Sequence, residues 1–415
     1  MLPRLGRGGN RAAGDVSGGN AGHLRRQNLE RVLAVAMDQA IPFTRAALIE
    51  ATGLSAPTVG SLVSHLTRLG LIRDLGTGPS RGGRRPASME FNARHGFVAG
   101  IDLGPTKTRL AVADLRGERL AHKVIPTPSG VGPTVLLTRL AAALRGLLRE
   151  AHVSPERLLA VGAGAPGAVD WRRGVVVALA SNLEGWANVP MAEILRKALG
   201  APVLVENDVN LAILGERWRG AARGHETCAF ITIGTGIGAG VVVDGALHRG
   251  HHFLAGEIAY MCMGAEYIDQ HFPRGCLETL AGLKALAARW RRGSGADPGR
   301  DVSELFDAAT NGDQAAQSAV MEAAALISIA TANLSLALDP SLIVLGGSLV
   351  AHRSLVDEVR RIVGQILPTP TELAVSTLGT DAPLWGALLL ATNEARERLR
   401  QRLRDARVPA PELRA

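Results

Sequence analysis

The sequence predicts a protein of the α/β class, with a small winged helix-turn-helix at its N-terminus joined to an α/β body in two lobes. Three observations carry this expectation. Residues 29–69 hold three amphipathic helical stretches, broken at Ile41-Pro42 and again at Gly53-Leu54-Ser55. From Phe97 onward, strand-like apolar runs alternate with helical ones over about 295 residues, too many elements for one sheet, so helix-covered sheets flanking a cleft are expected. Charge divides along the same boundary: of a total of +8, residues 1–95 carry 13 Arg against 6 acidic residues and residues 391–415 carry 7 against 4, leaving the centre at −2.

The elements follow in order. Residues 1–22, rich in glycine and arginine, cannot bury a core and are expected to form a disordered basic arm. A first helix is expected from His23, with Leu29, Val32, Leu33 and Val35 at helical spacing. Thr44 is placed to cap a second helix that carries Leu48 and Ile49 and ends at Gly53. Ser55 can cap a third, with Pro57 in its first turn and Val59, Leu62, Val63, Leu66 and Leu69 on its apolar side. The small polar outer face of that helix, with Ser55, Thr58, Ser61 and His65, suits entry into a DNA major groove. Two strands, Leu71 to Arg73 and Met89 to Asn92, then flank a Gly/Ser/Arg loop whose Arg81, Arg84 and Arg85 can grip phosphate or the minor groove. Residues 23–92 therefore read as a DNA-binding module.

In the body, strands are expected at Phe97–Ile101, Arg109–Ala113, Leu159–Gly164, Val203–Glu206, Ala229–Ile233, Ala239–Val243 and Leu342–Leu345, with helices such as Thr134–Ala151 and Met191–Leu199 between them. A small lobe over 95–210, a large lobe over 211–390 and a helical tail over 391–415 follow, with no fixed-period repeat. Composition excludes other classes. At 415 residues, 47% hydrophobic and 20% charged, the chain is too apolar for a disordered protein. Its longest uncharged apolar-rich stretch, Ala323–Leu338, has 16 residues with four polar ones, short of the roughly 20 that a membrane span requires. No secretory signal pattern opens the chain, and Cys228, Cys262 and Cys276 are too few for a disulfide framework, so a cytoplasmic location is expected.

Three glycine-rich turns each follow a strand: Asp102-Leu103-Gly104-Pro105-Thr106-Lys107, Gly234-Thr235-Gly236-Ile237-Gly238, and Gly346-Gly347-Ser348. Such turns can cradle phosphate oxygens, and an acid at the first can hold magnesium through water. Between them lies Glu206-Asn207-Asp208, where an aspartate can take a proton from a sugar hydroxyl and an asparagine can orient it; Asn and Asp are equally suited to cap a helix. Glu257 and Glu278 are two further carboxylates on apolar ground.

These motifs, with Ala165-Pro166-Gly167, Asn182 to Trp186, Ala255-Gly256-Glu257, Gly275-Cys276-Leu277-Glu278 and Asp339-Pro340, resemble in order those of the ROK family of repressors and sugar kinases, over nearly the whole chain from about residue 25. The resemblance implies an actin-like ATPase fold behind the winged module. It implies sugar contacts from Asn207, Asp208, Glu257, Glu278 and the residue at Tyr260, with Asp208 as catalytic base where kinase activity is retained. It further implies nucleotide contacts from Asp102, Gly104, Thr106, Lys107, Gly234, Thr235, Gly236, Gly238, Gly346 and Gly347.

The sequence departs from the family pattern at identifiable points. Pro105 replaces the second glycine of the first turn and brings no N–H for a phosphate. Tyr260 stands in place of a histidine, and positions aligned with zinc-binding cysteines read Asp269 and His271, with only Cys276 kept. Structural zinc is therefore not expected, a three-ligand site of Asp269, His271 and Cys276 being the alternative. Two functions compete. One is a sugar-responsive DNA-binding regulator, a repressor of carbohydrate-utilisation genes that needs no cofactor to bind DNA. The other is an ATP- and magnesium-dependent sugar kinase that also binds DNA. The expected partners are a double-stranded operator and a small sugar, with a homodimer or tetramer on a pseudo-palindromic site and no membrane.

Overall fold

The structure, a computed structural model, describes residues 17–39, 41–77, 87–179, 183, 185–294, 302–369 and 371–405. The chain divides into two compact units, one of residues 1–95 with 394–415, the other of residues 96–393.

The first unit contains helix α1 (Ser17–Asp38), strand β1 (Phe43–Thr44), helices α2 (Arg45–Thr52) and α3 (Ala56–Arg68), and strands β2 (Ile72–Thr77) and β3 (Ala87–Phe91). Helix α1 starts at Ser17, inside the segment read as a disordered arm, because the apolar periodicity that marks a helix begins only where its side chains reach the core at Leu29. Thr44 caps α2 by accepting from the Ala47 N–H, and Gly53 ends it in the left-handed conformation, φ +66°. The axis turns by 115° into α3. Ser55 makes no side-chain cap bond; its hydroxyl pairs with Thr58 Oγ1 at 2.8 Å. Val59, Leu62, Val63 and Leu66 are buried as their spacing requires, whereas Leu69 is 41% exposed because it lies beyond the last turn. Strand β3 pairs antiparallel with both β2 and β1, a pairing too short to be legible as a strand in sequence. Arg81, Arg84 and Arg85 lie outside the described residues.

The second unit has two five-stranded sheets. The first uses β4 (Phe97–Leu103), β5 (Lys107–Asp114), β6 (Arg119–Pro126), β7 (Leu158–Ala165) and β10 (Val203–Asn207), in order β10-β7-β4-β5-β6. Helices α4 (Pro133–Glu150) and α5 (Met191–Leu199) cover it, and the hairpin β8 (Ala168–Asp170) and β9 (Val175–Ala178) extends from its end. Helix α6 (Asp208–Arg219) leads to the second sheet, of β11 (Cys228–Ile233), β12 (Ile237–Val243), β13 (Ala246–His248), β14 (Leu342–Gly346) and β15 (Glu372–Val375), in order β13-β12-β11-β14-β15. Its cover is α7 (Cys276–Ala281), α8 (Leu283–Ser294), α9 (Val302–Thr310), α10 (Gln314–Leu338) and α11 (Arg353–Ile366). In each sheet an antiparallel three-strand meander is extended by two parallel strands. The topology is duplicated although the sequence is not.

Helix α10, with 25 residues, has the length and apolar composition of a membrane span, longer than the 16-residue uncharged stretch suggests, because the helix runs on through Glu322, where that stretch stops. Most of its apolar part is buried in the lobe, with Ala316, Ala323, Ala324 and Ile327 in the core.

The final helix, α12 (Ala382–Asp405), runs unbroken across the boundary expected between large lobe and tail at residue 391. Its first part instead packs on the first sheet, where Gly100 and Gly162 make room: a Cβ on Gly162 would lie 2.0 Å from the Ala387 carbonyl oxygen. Its last part belongs to the first unit. Ala395, Leu399 and Leu403 form a buried seam at four-residue spacing, and Arg396 and Arg404 pair with Asp38 and Glu30 of α1 at 3.1 and 2.6 Å. The alternating Arg and Glu of this stretch hide that seam in the sequence.

Candidate functional site

The duplicated sheets bring equivalent turns to one place. The β4–β5 turn (Gly104–Lys107) and the β11–β12 turn (Gly234–Gly236) both border a cleft of about 340 Å³, with the α6 N-terminus on its floor. That volume suits a small ligand.

Asp208 is held by its neighbours. Asn207 caps α6, its Oδ1 accepting from the N–H groups of Val209 and Asn210 at 2.8 and 3.0 Å, while its Nδ2 donates to the Gly167 carbonyl at 3.0 Å. Asn207 thus serves first as the cap, and only one amide hydrogen is left for a ligand. The cap aims Asp208 into the cleft. Burial, then the charges of Asp102 and Glu257, raise its carboxyl to about 8, against the Val209 N–H bond that favours ionisation. At neutral pH it is mostly protonated and can both donate and accept.

The second lobe supplies Glu257 and Glu278. Glu257 follows Gly256, whose φ of +88° and close approach to the Ala239 carbonyl, 1.9 Å from where a Cβ would stand, leave no room for a side chain. Burial, then the Glu278 charge, raise Glu257 to about 7. Glu278 Oε2 accepts from the Ile237 N–H at 3.1 Å; its Oε1 is buried and has no hydrogen-bond partner among the described residues. A buried acceptor left unsatisfied is costly, so a donor arriving with a ligand is favoured there. Tyr260 lines the cleft, with its hydroxyl donating to the Pro273 carbonyl at 3.3 Å. Asp208 and Glu257, raised to the neutral range, with Glu278, raised by burial, and two amide-rich turns suit a neutral, hydroxyl-rich molecule.

The nucleotide residues are brought together in part. Thr106, Lys107, Gly104, Gly234, Thr235, Gly236, Gly238 and Gly347 line the cleft. Gly346 faces the other way, with Phe230 filling the space a Cβ would need. In the first turn the Gly104 N–H is engaged by the Lys107 carbonyl at 3.2 Å and Pro105 has none, so Thr106 and Lys107 are its remaining donors. Asp102 lies behind the turn, buried and joined across the strand pair to Arg109 at 3.4 Å. Burial outweighs that arginine and raises Asp102 to about 6. A carboxyl already matched to a guanidinium fits magnesium poorly, and the first turn fits phosphates only partly. Zinc fits no better. Among the described residues no three His, Cys, Asp or Glu side chains are grouped so as to hold a metal ion; Asp269 and His271 are exposed while Cys276 is buried at the start of α7. The loop is held instead by Tyr260 and by the edge-to-face pair of Tyr267 and Phe272, 6.0 Å apart.

In the first unit, Thr58, Ser61 and His65 share one side of α3, with Ser61 exposed. Arg25 of α1, which no local pattern marks, donates to Ser61 Oγ at 3.3 Å, and Arg68 lies 3.3 Å from His65 Nδ1. Partial burial, then Arg68 and Arg25, lower the His65 pKa, favouring the neutral ring.

Fold and cleft together define a two-lobed, actin-like body of the sugar-kinase type. The chain belongs to the ROK family, whose model matches residues 98–394. A xylose repressor of Caldicellulosiruptor bescii is 28% identical over 84% of this chain and 90% of its own. A ROK family glucokinase from Streptomyces griseus, solved with glucose and AMPPNP, is 28% identical with TM-score 0.63, covering 72% of this chain and all of its own. A ROK family transcriptional regulator homologous to the E. coli MLC protein, at 22% identity and TM-score 0.74, shares the fold over 92% of this chain and 99% of its own.

Proposed function

We propose that this protein is a sugar-responsive DNA-binding transcriptional regulator, a repressor of carbohydrate-utilisation genes, whose kinase-like cleft senses its ligand. One observation carries the reading. The likeness to the glucokinase ends at the body, 72% of the chain, whereas the likeness to the xylose repressor extends over 84%. The additional N-terminal part is a three-helix unit with a 115° turn into α3, within the range of helix-turn-helix motifs. Its outward Thr58 and Ser61 suit base reading, with the basic loop of Arg81, Arg84 and Arg85 as the wing. A sugar held by Asp208, Glu257, Tyr260 and Glu278 biases DNA binding in so far as it prefers one state of the protein, typically by about 1 to 3 kcal/mol.

A second reading, an ATP-dependent sugar kinase, is favoured by Asp208, whose raised pKa suits a general base, and by Thr106 and Lys107 at the cleft. The Pro105 turn and the Asp102–Arg109 pair favour the first reading, in which nucleotide and magnesium are not needed. A gel shift on DNA upstream of the protein's own gene, repeated with a panel of sugars, tests it. Operator affinity that changes with one sugar supports the regulator. Sugar-dependent ADP release that vanishes in Asp208→Asn establishes the kinase.

A further inference from the structure

An ion pair joins the two lobes beside the cleft. Glu206, 2% exposed, is the penultimate residue of β10, immediately before Asn207 and Asp208. Its Oε1 accepts from the Asn207 N–H at 2.9 Å and from Asn210 Nδ2 at 3.0 Å, and its Oε2 accepts from Arg249 Nε at 2.6 Å. Arg249 belongs to the other lobe. It follows β13, eight residues before Glu257 on the segment that leads to it. Its guanidinium also lies 4.4 Å from the ring centre of Trp171, at the turn between β8 and β9, and Arg172 lies 4.9 Å from the same ring. A single side chain from the second lobe therefore grips two elements of the first.

We propose that Arg249 is a positioning residue for the cleft's ligand: by tying the Glu257 segment to Glu206 and Trp171, it sets the spacing between ligand contacts on opposite lobes. This rests on the reading of the cleft as a sugar site. A ligand gripped from both sides binds well when that spacing is established beforehand, because less ordering is left to accompany binding. The planar guanidinium suits the task, since it bonds a carboxylate through its edge while its face stacks on an indole. Nothing in the local sequence pairs residues 206 and 249, which belong to different sheets; the tertiary packing brings them together.

The test uses the full chain with D-xylose and D-glucose as probes in calorimetric titration, together with hydrogen exchange of the ligand-free protein. In Arg249→Gln we expect amides of both 206–210 and 250–257 to exchange about tenfold faster, and the dissociation constant of whichever sugar binds to rise about tenfold. Arg249→Lys keeps the charge without the planar stack and should fall between. Glu206→Gln, which is close in size and keeps the Asn207 bond, should match Arg249→Gln, and the double variant should be no worse than either. Faster exchange confined to 250–257, or an affinity within twofold of the parent protein's, overturns the proposal. If the parent chain binds neither sugar, the sugar reading fails, and the exchange on both lobes alone decides the role of Arg249.

Discussion

Asp208→Asn should stabilise the ligand-free protein at high pH while abolishing its ability to exchange a proton in the cleft. The Asp208 carboxyl moves from 3.8 to about 8 on folding, because it is enclosed and faces Asp102 and Glu257. A carboxyl whose pKa is raised by folding leaves the fold undisturbed below its unfolded value. Above that value it progressively destabilises the fold, the full effect being reached once pH passes the folded value. Each unit corresponds to about 1.4 kcal/mol, so four units set a ceiling near 5 to 6 kcal/mol. Part of that shift is mutual repulsion, which relaxes as Asp102 and Glu257 take up protons themselves, so the net gain should be about 1 to 3 kcal/mol. Asparagine keeps an oxygen to accept from the Val209 N–H and carries no charge. Thermal melting at pH 4, 5, 6, 7 and 8 is the assay. At about 2 to 4 °C per kcal/mol, the variant should melt roughly 2 to 12 °C above the parent at pH 8 and within about 2 °C of it at pH 4, close to the unfolded value. An equal shift at both pH values, or a loss at pH 8, would refute the electrostatic reasoning.

Other outcomes follow from the same geometry. Pro105→Gly should tighten AMPPNP binding about 5- to 100-fold by restoring an N–H donor, a gain readable by calorimetry. Because Asp102 remains paired to Arg109, the same variant should show no sugar-dependent ADP release. Gly162→Ala would drive a methyl to 2.0 Å from the Ala387 carbonyl oxygen and should cost about 1 to 3 kcal/mol in chemical denaturation, through the seat of α12 rather than through the cleft. Ser61→Ala and Thr58→Ala should relax base preference in a binding-site selection by about 1 to 3 kcal/mol at one position each. Replacing Arg84 and Arg85 together by Ala should weaken binding to all sequences and reduce the salt slope by about 2, measured by fluorescence anisotropy.

Much of the site could be read before any tertiary structure. Glycines at 104, 234 and 347, the acid at 208 and the carboxylates at 257 and 278 occupy turns and helix starts, where a few neighbouring residues dictate local geometry. Asn207 was legible both as a ligand group and as a cap, and its hydrogen bonds make it the cap. Strand β6 is not legible in the sequence because it is an edge strand in which polar and apolar residues mix on both faces, with no clean alternation to reveal it. Gly346 followed its motif but turns toward Phe230, since the residue that faces the cleft is decided by how the strand ends.

What the sequence by itself determined is local: the helices and their ends, the turns, the basic first unit, and the order of motifs that marks the family. Those features depend on side-chain periodicity and backbone freedom within a few residues. Only the tertiary structure decided that one strand order is used twice, so that unrelated sequences place equivalent turns on opposite sides of a cleft. It also decided that α12 returns to the first sheet, that Arg109 occupies Asp102, and that Arg249 reaches Glu206 from 43 residues away. Burial and charge proximity act through space, and the distances on which they depend are set by sheet pairing between segments far apart in the chain.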